Sequence, residues 1–439
     1  MIVGVRGIPA CFDVEQHRVS CPAEAAQVHM QAYDTLLRHP VRSDAAGHRA
    51  LDTSALAPGL AQGWEVSPDA RTYTFQVRRS VLSAAGHELT AHDVKWSWER
   101  AFAMSSWSAR AARCCGIGSP DCVRVVQPYM VQFRLEQPHP LFPALLASPL
   151  PAVYDLELVR EHCPIGDPWG DEWLREHTAG FGPYSLEDGA DAEEAALAAN
   201  LYHWEGPARE KRILLRAIAE GSARAEALWR GSVDLASGLA ARELAGLSGK
   251  SGVRVRQYPG SRQVALRIDP AFAPFDQPRV RQALALAVPY EEIGQQLFGG
   301  RVQPVRAEQD VKAARTLLRE VGYGSGFRLS VYMPQDQPEL QAVAQAIQLA
   351  VMKLSLKVVI EAMSPDLFAR EKAGRHLPVY LEERSSPLPV LAVEDQEPLP
   401  QVEALVLAQP HHGIAMRTNV AGFVMRPDGH PRFIEMSKP

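Results

Sequence analysis

Long apolar runs are missing from this sequence. Nothing in its 439 residues approaches the roughly 20 consecutive apolar positions that a membrane helix needs, so a soluble chain is expected. Dense basic runs are missing too: 46 Lys and Arg stand against 51 Asp and Glu, for a formal charge of -5, with no cationic stripe to track phosphates or anionic lipid. Nucleic acid is thereby excluded as a partner. Catalytic signatures are also absent. The sequence has no nucleophile elbow, no GxxxxGK[ST], no HExxH and no GxGxxG after a strand, so enzymatic chemistry has no support and no cofactor is expected.

Cysteine is scarce, with six in the chain: Cys11, Cys21, Cys114, Cys115, Cys122 and Cys163. An even set permits disulfides in an oxidising compartment. Vicinal Cys114 and Cys115 are poorly disposed to bond each other, but either could close a short loop with Cys122; buried or idle thiols are the plainer alternative. No CxxC spacing or nearby histidine completes a zinc set around that trio, and no metal site is expected. Internal repeats and low-complexity tracts are absent. The opening Met1-Ile2-Val3-Gly4-Val5 carries no basic n-region, apolar h-region or small-residue cleavage site, which suits a mature or trimmed form, or a protein that is not exported.

What is present is ordinary for a globular protein: 46% hydrophobic and 22% charged residues. At this length one compact core is too small a solution, and two or three lobes are expected. Ile2 to Ile8 is apolar and β-prone, and Pro9 closes it. Tyr73, Phe75 and Val77 alternate with polar neighbours, as do Val131, Phe133 and Leu135, predicting half-buried antiparallel strands. Between them Thr90 can cap a helix whose Asp93 completes a capping box, with Val94, Trp98, Ala101 and Phe102 on one face. Trp96 and Trp98, two apart, fall on different faces, so Trp98 is assigned to core packing and not to a stacking platform. Later the grammar changes. Phe327 to Met333 reads as a strand, Leu340 to Leu354 as a helix and Leu356 to Ile360 as a strand, a βαβ unit whose sheet binds ligands beyond its strand ends. A helix over 311–321 has Asp310 as its cap and Gly322 as its stop.

The order of short segments carries a resemblance. Tyr33-Asp34-Thr35-Leu36-Leu37 is followed by Leu56-Ala57-Pro58-Gly59-Leu60-Ala61, Gly63-Trp64-Glu65-Val66, Thr72-Tyr73-Thr74-Phe75 and Leu89-Thr90-Ala91-His92-Asp93-Val94. Next come Thr178-Ala179-Gly180-Phe181-Gly182-Pro183-Tyr184, Gly231-Ser232-Val233-Asp234 and the run from Pro274 to Leu284. This pattern resembles solute-binding protein family 5, the receptors for peptides, nickel complexes and other solutes.

The resemblance implies an α/β, two-lobed periplasmic binding protein type II-like fold with an extra subdomain in lobe I. Lobe I would span 1–262, with the subdomain at about 41–175; lobe II would span 263–404, and 405–439 would return to lobe I. It further implies an extracytoplasmic receptor, periplasmic or attached to the cell envelope, that captures a peptide or other small solute. The receptor would act as a monomer and deliver its solute to an ABC permease with a separate ATPase. Two segments depart from the pattern by being short, 301–310 and 380–404, which implies a wider or less enclosed cleft. The rival readings are a receptor that senses or presents solute without transport, and a metal-dependent hydrolase using His411, His412 or the cysteine trio.

Candidate ligand contacts follow. Cys11 and Phe12 occupy the loop after the first strand, Tyr33 is expected to open the following helix, and Phe181 lies in the Gly180–Gly182 bend. Arg262 and Gln263, after Tyr258-Pro259-Gly260-Ser261, stand at the passage into lobe II, where a guanidinium pairs bidentately with a solute carboxylate. His411 is placed at the return to lobe I. For the acidic role that pairs with a peptide amino terminus in relatives, Glu382 and Glu383 are the residues on hand.

Overall fold

A computed structural model describes the chain except residues 17–22, 45–46, 149–151, 164–165, 260–261, 301, 304–307 and 386–402. Two compact units emerge, one from Met1–Arg256 with Gly413–Pro439, the other from the described parts of Gln257–Ser386 and Asp395–His412. The chain therefore passes between units near 256 and 412, where the resemblance had set 262 and 405. The physical reason is pairing: Glu403–Pro410 lies antiparallel to Arg262–Ile268 in the second sheet, and only the next strand, His412–Arg417, joins the first.

The first unit holds a seven-stranded sheet in the order Tyr184–Leu186, Glu194–Ala199, Arg212–Ala217, Ile2–Val5, Leu235–Ala236, His412–Arg417, Val253–Tyr258. Ile2–Val5 runs parallel to both its neighbours. Its place is fixed by Asp234, whose carboxylate accepts the Ile2 N–H at 2.8 Å and pairs with Lys438 at 2.7 Å. The same unit carries a four-stranded antiparallel sheet, Ala61–Val66, Thr72–Val77, Met130–Arg134 and Val123–Gln127 in spatial order. The expected alternation holds there, with Tyr73 opposite Phe133 and Phe75 opposite Val131. The helix Ala91–Ala103 covers this sheet, and Trp98 and Phe75 both meet Phe133 edge-on, at 5.2 and 5.6 Å between ring centres. Such pairs add about 0.5–1.5 kcal/mol each to the burial of their surface. Trp96, on another face of the same helix, is also buried, in a separate cluster with Tyr33, Tyr154 and Leu174.

In the second unit a six-stranded sheet runs Val302–Gln303, Glu403–Pro410, Arg262–Ile268, Val379–Ser385, Arg328–Pro334, Lys357–Met363. The βαβ unit is present as expected: Arg328–Pro334 and Lys357–Met363 are parallel, from Arg328 opposite Lys357 to Pro334 opposite Met363, and the helix Pro338–Val351 connects them. The helix Val311–Glu320 is capped by Asp310, which accepts the N–H of Lys312 and Ala313, and Gly322 follows it at φ +85°. Strand alternation sorts this sheet's faces. Val264, Leu266, Ile268, Val379 and Leu381 point into the main core, whereas Tyr380 packs with Phe368 and Leu377 on the other side.

Candidate functional site

Open sheets with parallel strands leave a rim of loops at the carboxyl ends of those strands, where helix starts and unpaired backbone collect. In the second unit this rim follows Pro334, Met363 and Ser385, since Val379–Ser385 also runs parallel to Arg328–Pro334. Arg262–Ile268 runs the other way, so its first residue, Arg262, lies opposite Ser385 at the same rim. The helix Pro338–Val351 starts there too, with Glu339 in its first turn.

These placements bring three charges together. The Arg262 guanidinium donates through Nε and Nη2 to the two oxygens of Glu383, at 2.6 and 2.8 Å, and through Nη2 to Glu339. Its side chain is 19% exposed. Burial alone would lower the pKa of Arg262; Glu383 and Glu339 outweigh it and hold the guanidinium protonated, well above its ordinary value. Gln263 is half-buried beside it, on the opposite face of the sheet. That face holds a second cluster, in which Glu382 takes Arg267 at 2.7 Å, Lys372 at 2.5 Å and Arg384 at 3.5 Å. Burial would raise Glu382, but Lys372, Arg384 and Arg267 together hold it below the usual carboxylate range. Adjacent Glu382 and Glu383 thus serve different faces. Arg262, expected to await a solute carboxylate, already has two carboxylates of its own.

In the first unit the corresponding rim follows Val5, Ala217 and Ala236. Arg224, almost fully buried, ties it together by donating to the carbonyls of Ile218, Ala219, Ser237 and Gly238 at 2.5, 2.7, 3.1 and 2.7 Å. Composition gave no signal for this role, because the four carbonyls come from two separate loops.

The remaining expected contacts are placed as follows. Phe181 is 0% exposed inside the core of the four-stranded sheet, so its ring packs and does not face a ligand. Tyr33 does not open a helix but directly follows the end of the helix Ala23–Ala32; it is buried, stacks on His29 at 4.5 Å and accepts the Ala179 N–H at its hydroxyl. Phe12 is buried, its N–H donating to the Arg175 carbonyl at 2.9 Å. Cys11 is half-buried, and burial pushes its thiol up, away from the nucleophilic thiolate. His411 is half-buried between the strands Glu403–Pro410 and His412–Arg417. Cys122, like Cys11 and Cys163, is a free thiol, so the loop closure onto Cys122 is not formed; Cys21 lies outside the described residues. So do Gly260 and Ser261, half of the short segment 301–310 and most of 380–404.

The signature segments prove to be framework. Cβ atoms at Gly180 and Gly182 would stand 2.2 Å from the Ala32 carbonyl oxygen and 2.5 Å from its carbon, so only glycine lets these backbones approach. Asp34 accepts from His203 at 2.8 Å and from Trp204 at 2.7 Å.

Comparison with known proteins agrees with this architecture. The glutathione-binding protein GsiB of Salmonella choleraesuis (strain SC-B67) is 26% identical over 361 residues, 78% of this chain and 68% of that protein. The probable D,D-dipeptide-binding periplasmic protein DdpA of Escherichia coli (strain K12) is 25% identical over 333 residues, 72% of this chain and 62% of that protein. Among solved structures, the dipeptide binding protein of Pseudoalteromonas sp. SM9913 in complex with Met-Leu superposes with a TM-score of 0.82 at 17% identity, over 100% of both chains. The fold is that of the type II periplasmic binding proteins. A family model, bacterial extracellular solute-binding proteins, family 5 Middle, matches residues 55–387, a span that takes in the four-stranded sheet, the Arg224 rim and the Arg262 cluster alike, and on that match this chain belongs to the family.

Proposed function

We propose that this chain is the solute-binding receptor of an ABC importer, capturing a peptide or peptide-like solute reversibly and passing it to a membrane permease driven by a separate ATPase. The family match over 55–387 carries the reading. That relatives are named for glutathione and for D,D-dipeptides supports a short peptide or peptide conjugate as the solute. The receptor works as a single chain in the periplasm or on the outer side of the cell membrane, and it binds without chemical conversion.

At the second unit's rim, one guanidinium faces two carboxylates, an excess of one negative charge at Arg262, Glu339 and Glu383. A solute ammonium is the group that balances it, with Arg262 fixing the carboxylates in place. The test is a thermal-shift panel of di- to pentapeptides, D,D-dipeptides and glutathione. At least one member should raise the melting temperature progressively with its concentration, because a ligand of the native state alone must stabilise it. If no member shifts the transition at millimolar concentration, the peptide reading is wrong.

A further inference from the structure

We propose that His87, Glu157 and Glu161 form a binding site for a divalent transition cation. His87 closes a tight hairpin in which Leu82 pairs with Glu88, Gly86 adopts φ +93°, and the Ser83 N–H donates to the His87 carbonyl. Glu157 and Glu161 lie four apart on the helix Leu156–His162, on one face of it. One ligand atom from each of the three lies within 4.8 Å of the others.

What distinguishes this group from a patch of surface acids is the orientation of the imidazole. Asp155, 0% exposed, accepts from His87 Nδ1 at 3.0 Å, while its other oxygen accepts the Leu158 N–H at 3.0 Å as the helix cap. With Nδ1–H committed to a buried carboxylate, a neutral His87 presents the Nε2 lone pair outward, 3.7 Å from Glu161 Oε1. A carboxylate behind a histidine that ligates through its other nitrogen is the arrangement that orients metal-binding imidazoles and raises their basicity.

Metal–nitrogen and metal–oxygen bonds of about 2.0–2.2 Å put tetrahedral ligand atoms roughly 3.3–3.5 Å apart. The 3.7 Å pair needs almost no adjustment, and the exposed glutamates can close the rest by rotation. One imidazole with two carboxylates suits zinc, nickel, cobalt or copper better than calcium or magnesium, which favour all-oxygen sites. Fewer than four protein ligands leaves a position for water. The cation would join the hairpin to the helix, two segments distant in sequence. This site shares no residue with the Arg262 cluster and stands or falls independently of the solute reading.

The experiment titrates zinc chloride by calorimetry into the chelator-stripped full chain without peptide, comparing wild type with His87→Ala and with Glu157→Gln/Glu161→Gln. Wild type should bind one equivalent more than His87→Ala. The double glutamine variant should lose that equivalent or bind it at least tenfold more weakly, and zinc should raise the melting temperature of the wild type alone. Both glutamates are exposed, so the double variant decides the matter if His87→Ala fails to fold. Equal zinc stoichiometry and affinity in wild type and the double variant would overturn the site.

Discussion

Glu15 is a carboxyl group placed where water cannot reach it. It is 1% exposed, its Oε1 accepts the Ser108 hydroxyl at 2.6 Å, and its Oε2 meets no hydrogen-bond partner among the described residues. Burial raises its pKa above the ordinary carboxylate range, an effect that Ser106, Ser108 and the nearby Arg100 only partly offset. A group whose folded pKa is raised contributes stability that is complete below its unfolded value, about 4.3, and is lost as pH rises through the folded value. At neutral pH the ionised form therefore works against folding. Glu15→Gln keeps the acceptor for Ser108 and removes the charge, so it should raise the melting temperature at pH 7, with the gain vanishing near pH 4. Scanning calorimetry of both proteins across that range checks the sign; a variant less stable than wild type at pH 7 would show that Glu15 is ionised and paired. The neighbouring charges are better served. Arg100 grips both oxygens of Asp13, whose Oδ1 also accepts the Tyr154 hydroxyl at 3.1 Å, with every member of the trio buried.

Among the elements, the helix Ala91–Ala103 shows how one residue links two segments. The Thr90 and Asp93 capping box was legible from sequence, and it is present, with Asp93 Oδ2 accepting the Thr90 N–H at 2.7 Å. Unforeseen was the other oxygen, which accepts the N–H of Leu156 at 3.0 Å and so joins this helix to the start of Leu156–His162. Thr90→Ala should cost about 1 kcal/mol, as caps generally do. Asp93→Ala should cost about 2–3 kcal/mol, because it also leaves the Leu156 N–H without its acceptor in the interior. Urea denaturation of the two variants separates the roles: equal losses would mean that the second contact contributes nothing. The contrast between cap and link reflects what a sequence can disclose. Periodicity and capping are local, which is why the strands at 72–77 and 130–134, the Asp310 cap and the βαβ unit could be read directly. Arg262 meets Glu339 and Glu383 across 77 and 121 residues, and only strand register puts them at one rim. Phe181 and Tyr33, expected from the resemblance to face solute, lie buried beside the close backbone approach at Gly180 and Gly182, a placement that depends on segments far apart in sequence.

The whole molecule is built of two units, each with its own sheet and core, and the family match reaches into both. Reversible capture requires that solute binding favour one population of the chain and that the solute leave unaltered. The negative excess around Arg262 adds a preference: blocking a solute's amino group should weaken binding, by at least tenfold if the ammonium meets a carboxylate directly. The most direct measurement is calorimetric titration of the purified chain with the peptide that gives the largest thermal shift, and with its N-acetylated form, followed by mass spectrometry of the recovered peptide. The predicted result is one site per chain, at least tenfold weaker binding of the acetylated peptide, and recovery of the peptide intact. Absence of saturable binding, or recovery of a cleaved or altered peptide, would contradict it.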